Sequence, residues 1–308
     1  MKLLQLSPAD LRKQLAGPGV WMRTGPFSLR IQSGIPSIAD GLAQLYGQFE
    51  VRSVREAFAD FHVSVNAAGG LRRWIRPQAR FSFDGVQPFK PLPYDQAFPM
   101  LEWGLNWCVS TQAHQYLIIH AAVVEKNGHA AILPAPPGSG KSTLTAGLVL
   151  SGWRLLSDEL TLIDRKSGMI QPLPRPVSLK NQSIDVIRQF DAETFINRAA
   201  HDTIKGTVAH MRPPRESVLR QHEPAQPRWV IFPKWEAGAS TRLTPRSRAQ
   251  TFMFLAQNAF NYSHLGADGF RVGTALIDQT ECFDFRYSDL DEAIAAFDRL
   301  SHSDGSHS

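Results

Sequence analysis

The sequence of 308 residues has little cysteine and no long apolar segment. Its two cysteines, Cys108 and Cys282, lie far apart and lack metal-ligand spacing, which argues against a disulfide scaffold or a zinc module and favours a reducing compartment. Residues 1–15 carry charged side chains and have no apolar core typical of a secretory signal. The most apolar run, residues 116–124, is too short to span a membrane. These absences predict a cytoplasmic protein with no membrane partner.

Basic residues only slightly outnumber acidic residues. The 33 basic and 28 acidic residues give a net charge of +5, without a basic run. Such a balance gives little support to nucleic-acid binding and fits a small anionic ligand such as a nucleotide. The composition, 43% hydrophobic and 20% charged, is enough for a buried core and excludes wholesale disorder.

Turn signals and apolar patterns divide the chain near residue 110. Residues 1–110 are expected to form a smaller α+β domain of unknown role, residues 111–300 a catalytic domain, and residues 301–308 a disordered polar tail. In the first part we expect strands at residues 27–32, 61–65 and 80–83, and helices at 37–46, 54–58 and 98–109.

Residues 111–300 contain more specific patterns for turns, strands and helices. Asn127-Gly128 between the apolar runs 116–126 and 129–133 predicts a β-hairpin. A helix is expected at 142–150, and a strand pair at 153–157 and 160–163. Further strands are expected at 169–171, 229–235 and 283–287, and further helices at 247–258 and 289–300. Residues 172–228 are rich in Pro and Arg and allow no assignment.

Residues 135–143, Ala-Pro-Pro-Gly-Ser-Gly-Lys-Ser-Thr, match the Walker A pattern with Ala in place of the first Gly. Glycines let backbone N–H groups turn around a phosphate, and the following helix adds its positive dipole end. Lys141 would reach the terminal phosphates of ATP, and the Ser142 hydroxyl would bind Mg²⁺. The predicted nucleotide-binding residues are Pro137, Gly138, Ser139, Gly140, Lys141, Ser142 and Thr143. No base-reading motif accompanies them, so the pattern disfavours a small GTPase and leaves the choice between ATP and other triphosphates open.

The order of the sequence motifs between residues 117 and 159 resembles that of a known protein family. Residues 117–159 contain, in order, Leu-Ile-Ile-His ending at His120, the predicted hairpin, the Walker A loop, a predicted helix and Gly-Trp-Arg-Leu-Leu-Ser-Asp-Glu at residues 152–159. This order resembles that of the catalytic core of the HPr kinase/phosphorylase superfamily. This fold is itself similar to that of phosphoenolpyruvate carboxykinase. The resemblance covers residues 112–180 and is strongest to HPr-kinase-related proteins, some of which phosphorylate serine on small peptides. It implies an α/β P-loop kinase core with a mixed, antiparallel-rich sheet.

The resemblance also implies roles for individual residues. His120 and Lys141 would be catalytic, and Asp158 and Glu159 would be the adjacent acidic pair. We expect Asp158 to be the base and Glu159 a Mg²⁺ contact, since neighbouring residues of a strand point to opposite faces. The family's Glu-x-Arg-Gly signature has no counterpart after residue 165, so neither phosphorylase activity nor HPr as substrate carries over. A homo-oligomer, the state of the regulatory kinases, stays open.

Three weaker candidates come from the residues themselves. Asp164 is an alternative Mg²⁺ ligand, and Arg175, held between two prolines, would clamp the γ-phosphate. Lys205 and Thr207 belong to a cationic loop that would close over phosphates or bind an acidic acceptor. A solvated basic loop is an equally good interpretation. The aromatic side chains are expected in the core: Trp103, Trp107, Phe252, Phe254, Phe260 and Tyr262.

These features favour an ATP- and Mg²⁺-dependent kinase acting on a hydroxyl, foremost on serine of a peptide or small carrier protein. Two alternatives remain open. One is a kinase for a small metabolite, such as free serine or a sugar. The other is a nucleotide-binding regulatory module without transfer chemistry, which would have no need of an acidic pair at residues 158–159.

Overall fold

The computed structural model describes residues 1–52, 57–70 and 75–302. The first part of the chain forms a sheet of six strands, β1 Val20–Thr24, β2 Phe27–Gln32, β3 Val51–Arg52, β4 Phe61–Ala67, β5 Gln78–Phe83 and β6 Leu92–Pro93, in the order β3-β1-β2-β4-β5-β6. Its helices are α1 Pro8–Ala16, α2 Pro36–Leu45 and α3 Ala97–Gln112. The predicted helix over residues 54–58 falls largely outside the described residues.

The remaining strands are β7 Tyr116–Lys126, β8 His129–Pro134, β9 Arg154–Ser157, β10 Leu160–Asp164, β11 Ile170–Gln171, β12 Val177–Lys180, β13 Ala200–Thr203, β14 Gly206–Met211, β15 Gln226–Trp235, β16 Arg242–Pro245 and β17 Glu281–Tyr287. The remaining helices are α4 Lys141–Leu150, α5 Gln182–Phe190, α6 Arg215–Leu219, α7 Arg248–Gln257, α8 Tyr262–Leu265, α9 Ala267–Asp278 and α10 Leu290–His302. α10 continues through His302, so the prediction of a disordered tail is wrong for residues 301 and 302. Residues 303–308 lie outside the described range.

An eight-stranded sheet forms the centre of the molecule. Seven strands follow the order β11-β10-β7-β8-β15-β17-β16, and β9 also pairs with β7. The β8–β15 and β15–β17 pairs are parallel, and the other pairs of this sheet are antiparallel. The fold is therefore mixed α/β with an antiparallel-rich sheet, as expected from the sequence.

The hairpin of β7 and β8 is confirmed. Asn127 and Gly128 both have positive φ, +55° and +84°, which is the requirement of the tight turn that matches strand twist. The apolar runs on either side pair from Ala121 with Pro134 to Lys126 with His129.

The expected pairing of β9 with β10 is wrong. Both strands instead run antiparallel along β7, where Ser157 lies opposite Val123 and Leu160 lies opposite His120. β9 and β10 therefore lie end to end along β7, and their pairing with β7 is interrupted at residues 158–159. Asp158 and Glu159 therefore interrupt a ladder inside the sheet, and Asp158 is buried.

Residues 172–228, unassigned from the sequence, form a second small sheet in the order β12-β14-β13, with α5 and α6. A hydrophobic cluster joins α4, α5 and α10 to one face of the central sheet, and another joins α7 and α9 to the opposite face. The helices therefore cover both faces of the sheet.

A third hydrophobic cluster crosses the predicted boundary near residue 110. It contains the apolar side chains of the N-terminal sheet together with Ile118 of β7 and Leu160 and Leu162 of β10. The first hundred residues thus pack directly on the strands that lead to the acidic pair, while the boundary itself stays a prediction. Among the described residues no helix combines the length and the apolar character that crossing a membrane requires.

Candidate active site

The Gly-rich loop of residues 135–140 connects β8 to α4. Gly138 and Gly140 adopt φ angles of +83° and +85°, which L side chains rarely allow. The loop is held from the side of β15 and β17: the Trp235 N–H donates to the Ser139 carbonyl (2.9 Å), and the Tyr287 hydroxyl donates to the Gly140 carbonyl (3.1 Å). These contacts fix a turn directly before the N-terminus of α4.

Lys141, the first residue of α4, reaches the acidic pair. Its Nζ donates a hydrogen bond of 2.7 Å to the backbone carbonyl of Asp158. The Asp158 side chain is buried, with 4% exposure, and its Oδ2 accepts from the Ser178 N–H at 2.9 Å. Burial raises the pKa of Asp158, and the positive charge of Lys141 offsets part of that effect.

Glu159 faces a cluster of cations. Its Oε2 accepts a hydrogen bond from Asn106 Nδ2 (2.5 Å), and its Oε1 lies 3.7 Å from Lys180 Nζ. Burial would raise the pKa of Glu159, yet the positive charges of Lys205, Lys141 and Lys180 outweigh it and lower that pKa to about 2. The carboxylate is therefore ionised over the physiological range.

His120 lies on β7 opposite Leu160, the first residue after the acidic pair. Burial and the nearby charge of Lys141 lower the pKa of His120, so its ring is neutral at neutral pH. The ring centroid lies 5.7 Å from that of Phe260, whose side chain is 52% exposed. Phe260 was expected in the core and instead lies at the surface beside the candidate site.

A small cavity adjoins Asp158. The space open to the centre of a water molecule is about 20 Å³, which is enough for one water. In the described part of the chain, its lining contains buried polar atoms without a hydrogen-bond partner: Asp158 Oδ1, Arg175 Nε and Nη1, Ser178 Oγ and His210 Nδ1. Buried polar atoms are nearly always paired, so such a set is typical of a site that binds a polar ligand.

Arg175 is buried in the wall of this cavity, with 7% exposure. Its Nη1 lies 3.7 Å from the Glu102 carboxylate, which accepts a hydrogen bond of 2.6 Å from the Tyr46 hydroxyl. His210 also lines the cavity, and burial lowers its pKa to about 4. The cavity therefore combines a permanent cation with a neutral imidazole.

The other candidates divide into two groups. Lys205 lies at the site, with its Nζ 5.2 Å from the centre of the Trp103 ring. Thr207 instead contacts His201 and Asn181 at the outer end of the small sheet. Asp164 accepts three hydrogen bonds within the turn at residues 164–167. Asp158, Glu159 and Arg175 line the cavity, and the charges of Lys141, Lys205 and protonated His120 act on Glu159. Thr207 and Asp164 make their contacts elsewhere.

Three lining residues come from α3 and were missed in the sequence: Glu102, Trp103 and Asn106. Trp103 was expected in the core, yet it borders the cavity, while Trp107 does pack against the N-terminal cluster. A signal was present, because Glu102 and Asn106 lie four residues apart on an otherwise apolar helix and therefore share one face. Nothing in the sequence relates that face to residues 158–178.

Comparisons with known proteins include a distant structural match. No protein-family model matches the chain, and no curated protein matches it. Among solved structures, the HPr(Ser) kinase/phosphatase from Coxiella burnetii matches with 11% sequence identity and a TM-score of 0.27, over 59% of this chain and 96% of that chain. The relationship is a distant structural similarity, and the function proposed below is argued from the geometry of the site.

Proposed function

We propose that the chain is a kinase that transfers the γ-phosphoryl group of ATP to a hydroxyl, foremost a serine of a peptide or small carrier protein. The observation that carries this proposal is the contact between Lys141 and Asp158. Lys141 follows a Gly-rich loop at a helix N-terminus, which is suited to phosphates. Its hydrogen bond to the Asp158 backbone carbonyl places this loop beside a residue whose buried carboxylate is suited to accept a proton. Phosphoryl transfer requires these two groups side by side.

In the proposed reaction the acceptor oxygen attacks the γ-phosphorus, and the bond between that phosphorus and the β,γ-bridging oxygen breaks. The acceptor proton passes to Asp158 Oδ1, the carboxylate oxygen without a partner in the described part of the chain, and ADP leaves. Because burial raises the pKa of Asp158, its carboxylate is a stronger base than an exposed aspartate. Lys141 and the loop N–H groups neutralise charge on the phosphates.

The residues present fit a magnesium ion. Mg²⁺ prefers oxygen ligands and is usually held by one or two protein groups together with substrate phosphates. Ser142 offers a hydroxyl in the first turn of α4, and Glu159 offers an ionised carboxylate. Glu159 would act through a water. When bound, the ion would neutralise negative charge on the phosphates.

A small metabolite is the second candidate acceptor, and the small cavity beside Asp158 would admit it. The space of about 20 Å³ open to the centre of a water molecule admits a hydroxyl group. A serine side chain inserted from a peptide and a small free alcohol would both fit this limit. A regulatory module without transfer is disfavoured because it gives no role to a buried, half-paired Asp158.

The proposal is tested by intact mass measurement after incubation with Mg²⁺ and ATP. The acceptors are a panel of serine-containing peptides and free serine, and the variants are Lys141→Ala and Asp158→Asn. A phosphorylated peptide with the wild type, lost in both variants, supports the peptide kinase. Phosphoserine alone moves the protein to the metabolite kinases. ATP binding without transfer to any acceptor leaves the regulatory module as the better interpretation.

A further inference from the structure

Trp235 is a large aromatic residue at the edge of the Gly-rich loop, and 48% of its surface is exposed. Its backbone N–H donates to the Ser139 carbonyl (2.9 Å), and its indole Nε1 donates to the Ser288 carbonyl (3.0 Å). A Cβ built on Gly140 would lie 2.8 Å from the Trp235 Cβ, so the two backbones are in close contact. The indole is thus fixed at one end and open to solvent on much of its surface.

The direction of the strands places Trp235 on a defined side of the loop. β8, β15 and β17 are parallel neighbours, so their carboxyl ends at Pro134, Trp235 and Tyr287 lie at one edge of the sheet. Ligands of open α/β sheets bind outside the carboxyl ends of such strands.

Asp158 lies on the other side of the loop. It follows β9, which pairs with β7, the antiparallel neighbour of β8. A triphosphate on the loop with its terminal phosphate toward Asp158 therefore has its nucleoside directed away from β7. That direction leads to the end of β15, where the exposed indole lies.

We propose that the indole of Trp235 is the platform on which the base of the nucleotide stacks. The inference rests on the proposed function, because it requires the Gly-rich loop to hold a triphosphate. Stacking on an aromatic ring tolerates any base, since every base has a π-face. This agrees with the lack of an Asn/Thr-Lys-x-Asp base-reading motif in the sequence. Because the ring is already fixed by its bond to Ser288, little ordering is needed on binding.

The test measures binding of two Mg²⁺ complexes, of ATP and of tripolyphosphate, to the full chain by titration calorimetry. Tripolyphosphate keeps the three linked phosphates of ATP and lacks the nucleoside. Trp235→Ala should weaken ATP binding about 5- to 100-fold, the range for loss of one stacked base, and leave tripolyphosphate binding within about twofold. Trp235→Phe, which keeps a π-face, should retain most of the affinity for ATP.

Trp235→Leu, which keeps apolar bulk without a π-face, is the third variant and should behave as the alanine variant does. Thermal unfolding checks that each variant is folded. Equal weakening of ATP and tripolyphosphate would overturn the inference and make Trp235 a support of the loop. Unchanged ATP affinity in both the Ala and Leu variants would also overturn it. A wild type that binds neither compound would instead overturn the proposed function, and the inference with it.

Discussion

The ammonium group of Lys141 and the backbone carbonyl of Asp158 are 2.7 Å apart and share a hydrogen bond. This bond links the start of α4 to the interruption between β9 and β10, two features that are 17 residues apart in the chain. It also keeps a positive charge beside the buried Asp158 carboxylate, which partly offsets the rise in its pKa caused by burial. A lysine that contacts this carbonyl is positioned to exchange it for phosphate oxygens.

Asp158→Asn should leave ATP binding nearly unchanged and reduce phosphoryl transfer about 10²- to 10⁴-fold, the usual contribution of a general base. The amide keeps the size of the side chain and an oxygen for the Ser178 N–H, but it cannot take a proton. Transfer is measured by intact mass of the acceptor, and ATP binding by calorimetry.

Asp164→Asn is the matched control for that experiment. Asp164 belongs to the same segment, and its side chain is engaged in a turn by Lys166 and Ser167. We expect full transfer activity in this variant. Loss of transfer with Asp164→Asn and its survival with Asp158→Asn would make Asp164 the catalytic carboxylate.

Gly140→Ala should abolish ATP binding. The added Cβ would lie 2.7 Å from the Tyr287 hydroxyl oxygen, and the residue has a φ of +85°. Gly128→Ala is a close control, because Gly128 has a φ of +84° and no heavy atom within 4 Å of the added Cβ. Each variant should lose about 1 kcal/mol through backbone strain. Equal ATP affinity in the two variants would show that the contact with Tyr287 does not shape the loop.

Glu159 should contribute to stability in mild acid. Its pKa falls from 4.5 to about 2 in the folded protein, so its contribution is complete above about pH 4.5 and is lost as the pH falls toward 2. Between pH 5 and pH 3 the wild type should lose about 2 kcal/mol more free energy of unfolding than Glu159→Gln. Urea unfolding at both pH values measures this difference. The exposed Glu193→Gln should follow the wild type, and a Glu159→Gln profile parallel to the wild type would contradict the prediction.

Tyr46→Phe should reduce the free energy of unfolding by about 1–3 kcal/mol, because it removes the hydrogen bond that the buried hydroxyl donates to Glu102. The carboxylate that faces Arg175 would then lose one of its supports. Urea unfolding measures the loss. Tyr94→Phe is the control, since the Tyr94 hydroxyl has no hydrogen-bond partner in the described part of the chain, and it should change stability little. An unchanged Tyr46→Phe variant would show that the bond contributes nothing.

Local sequence patterns predicted those elements of the fold that depend on interactions between residues close together in the chain. The Asn127-Gly128 turn, the strands on either side and the helix after the Gly-rich loop follow from turn chemistry and apolar periodicity, and each lies within two residues of its expected bounds. Residues 172–228 could not be assigned because their prolines interrupt both the helical and the strand periodicity of apolar residues. Their strands exist through pairing with one another, as between Val177 and Met211, and such long-range pairing leaves no local pattern.

The candidate site was predictable in part for the same reason. Lys141 and Ser142 belong to one contiguous motif, whereas the opening of the ladder at residues 158–159 depends on both β9 and β10 following β7. This opening brings Asp158 and Glu159 to one cavity, although neighbouring residues of a regular strand would face opposite ways. The face of α3 that borders the cavity requires knowledge of how the N-terminal sheet packs.

The contribution of α3 has a consequence for how such a chain can change over evolution. Glu102, Trp103 and Asn106 belong to the N-terminal region, yet they form a wall of the chamber beside Asp158. Exchange of residues 1–110 for another sequence would therefore replace part of the wall of the cavity beside Asp158. Acceptor preference and the N-terminal region are expected to diverge together, while the loop around Lys141 stays the same.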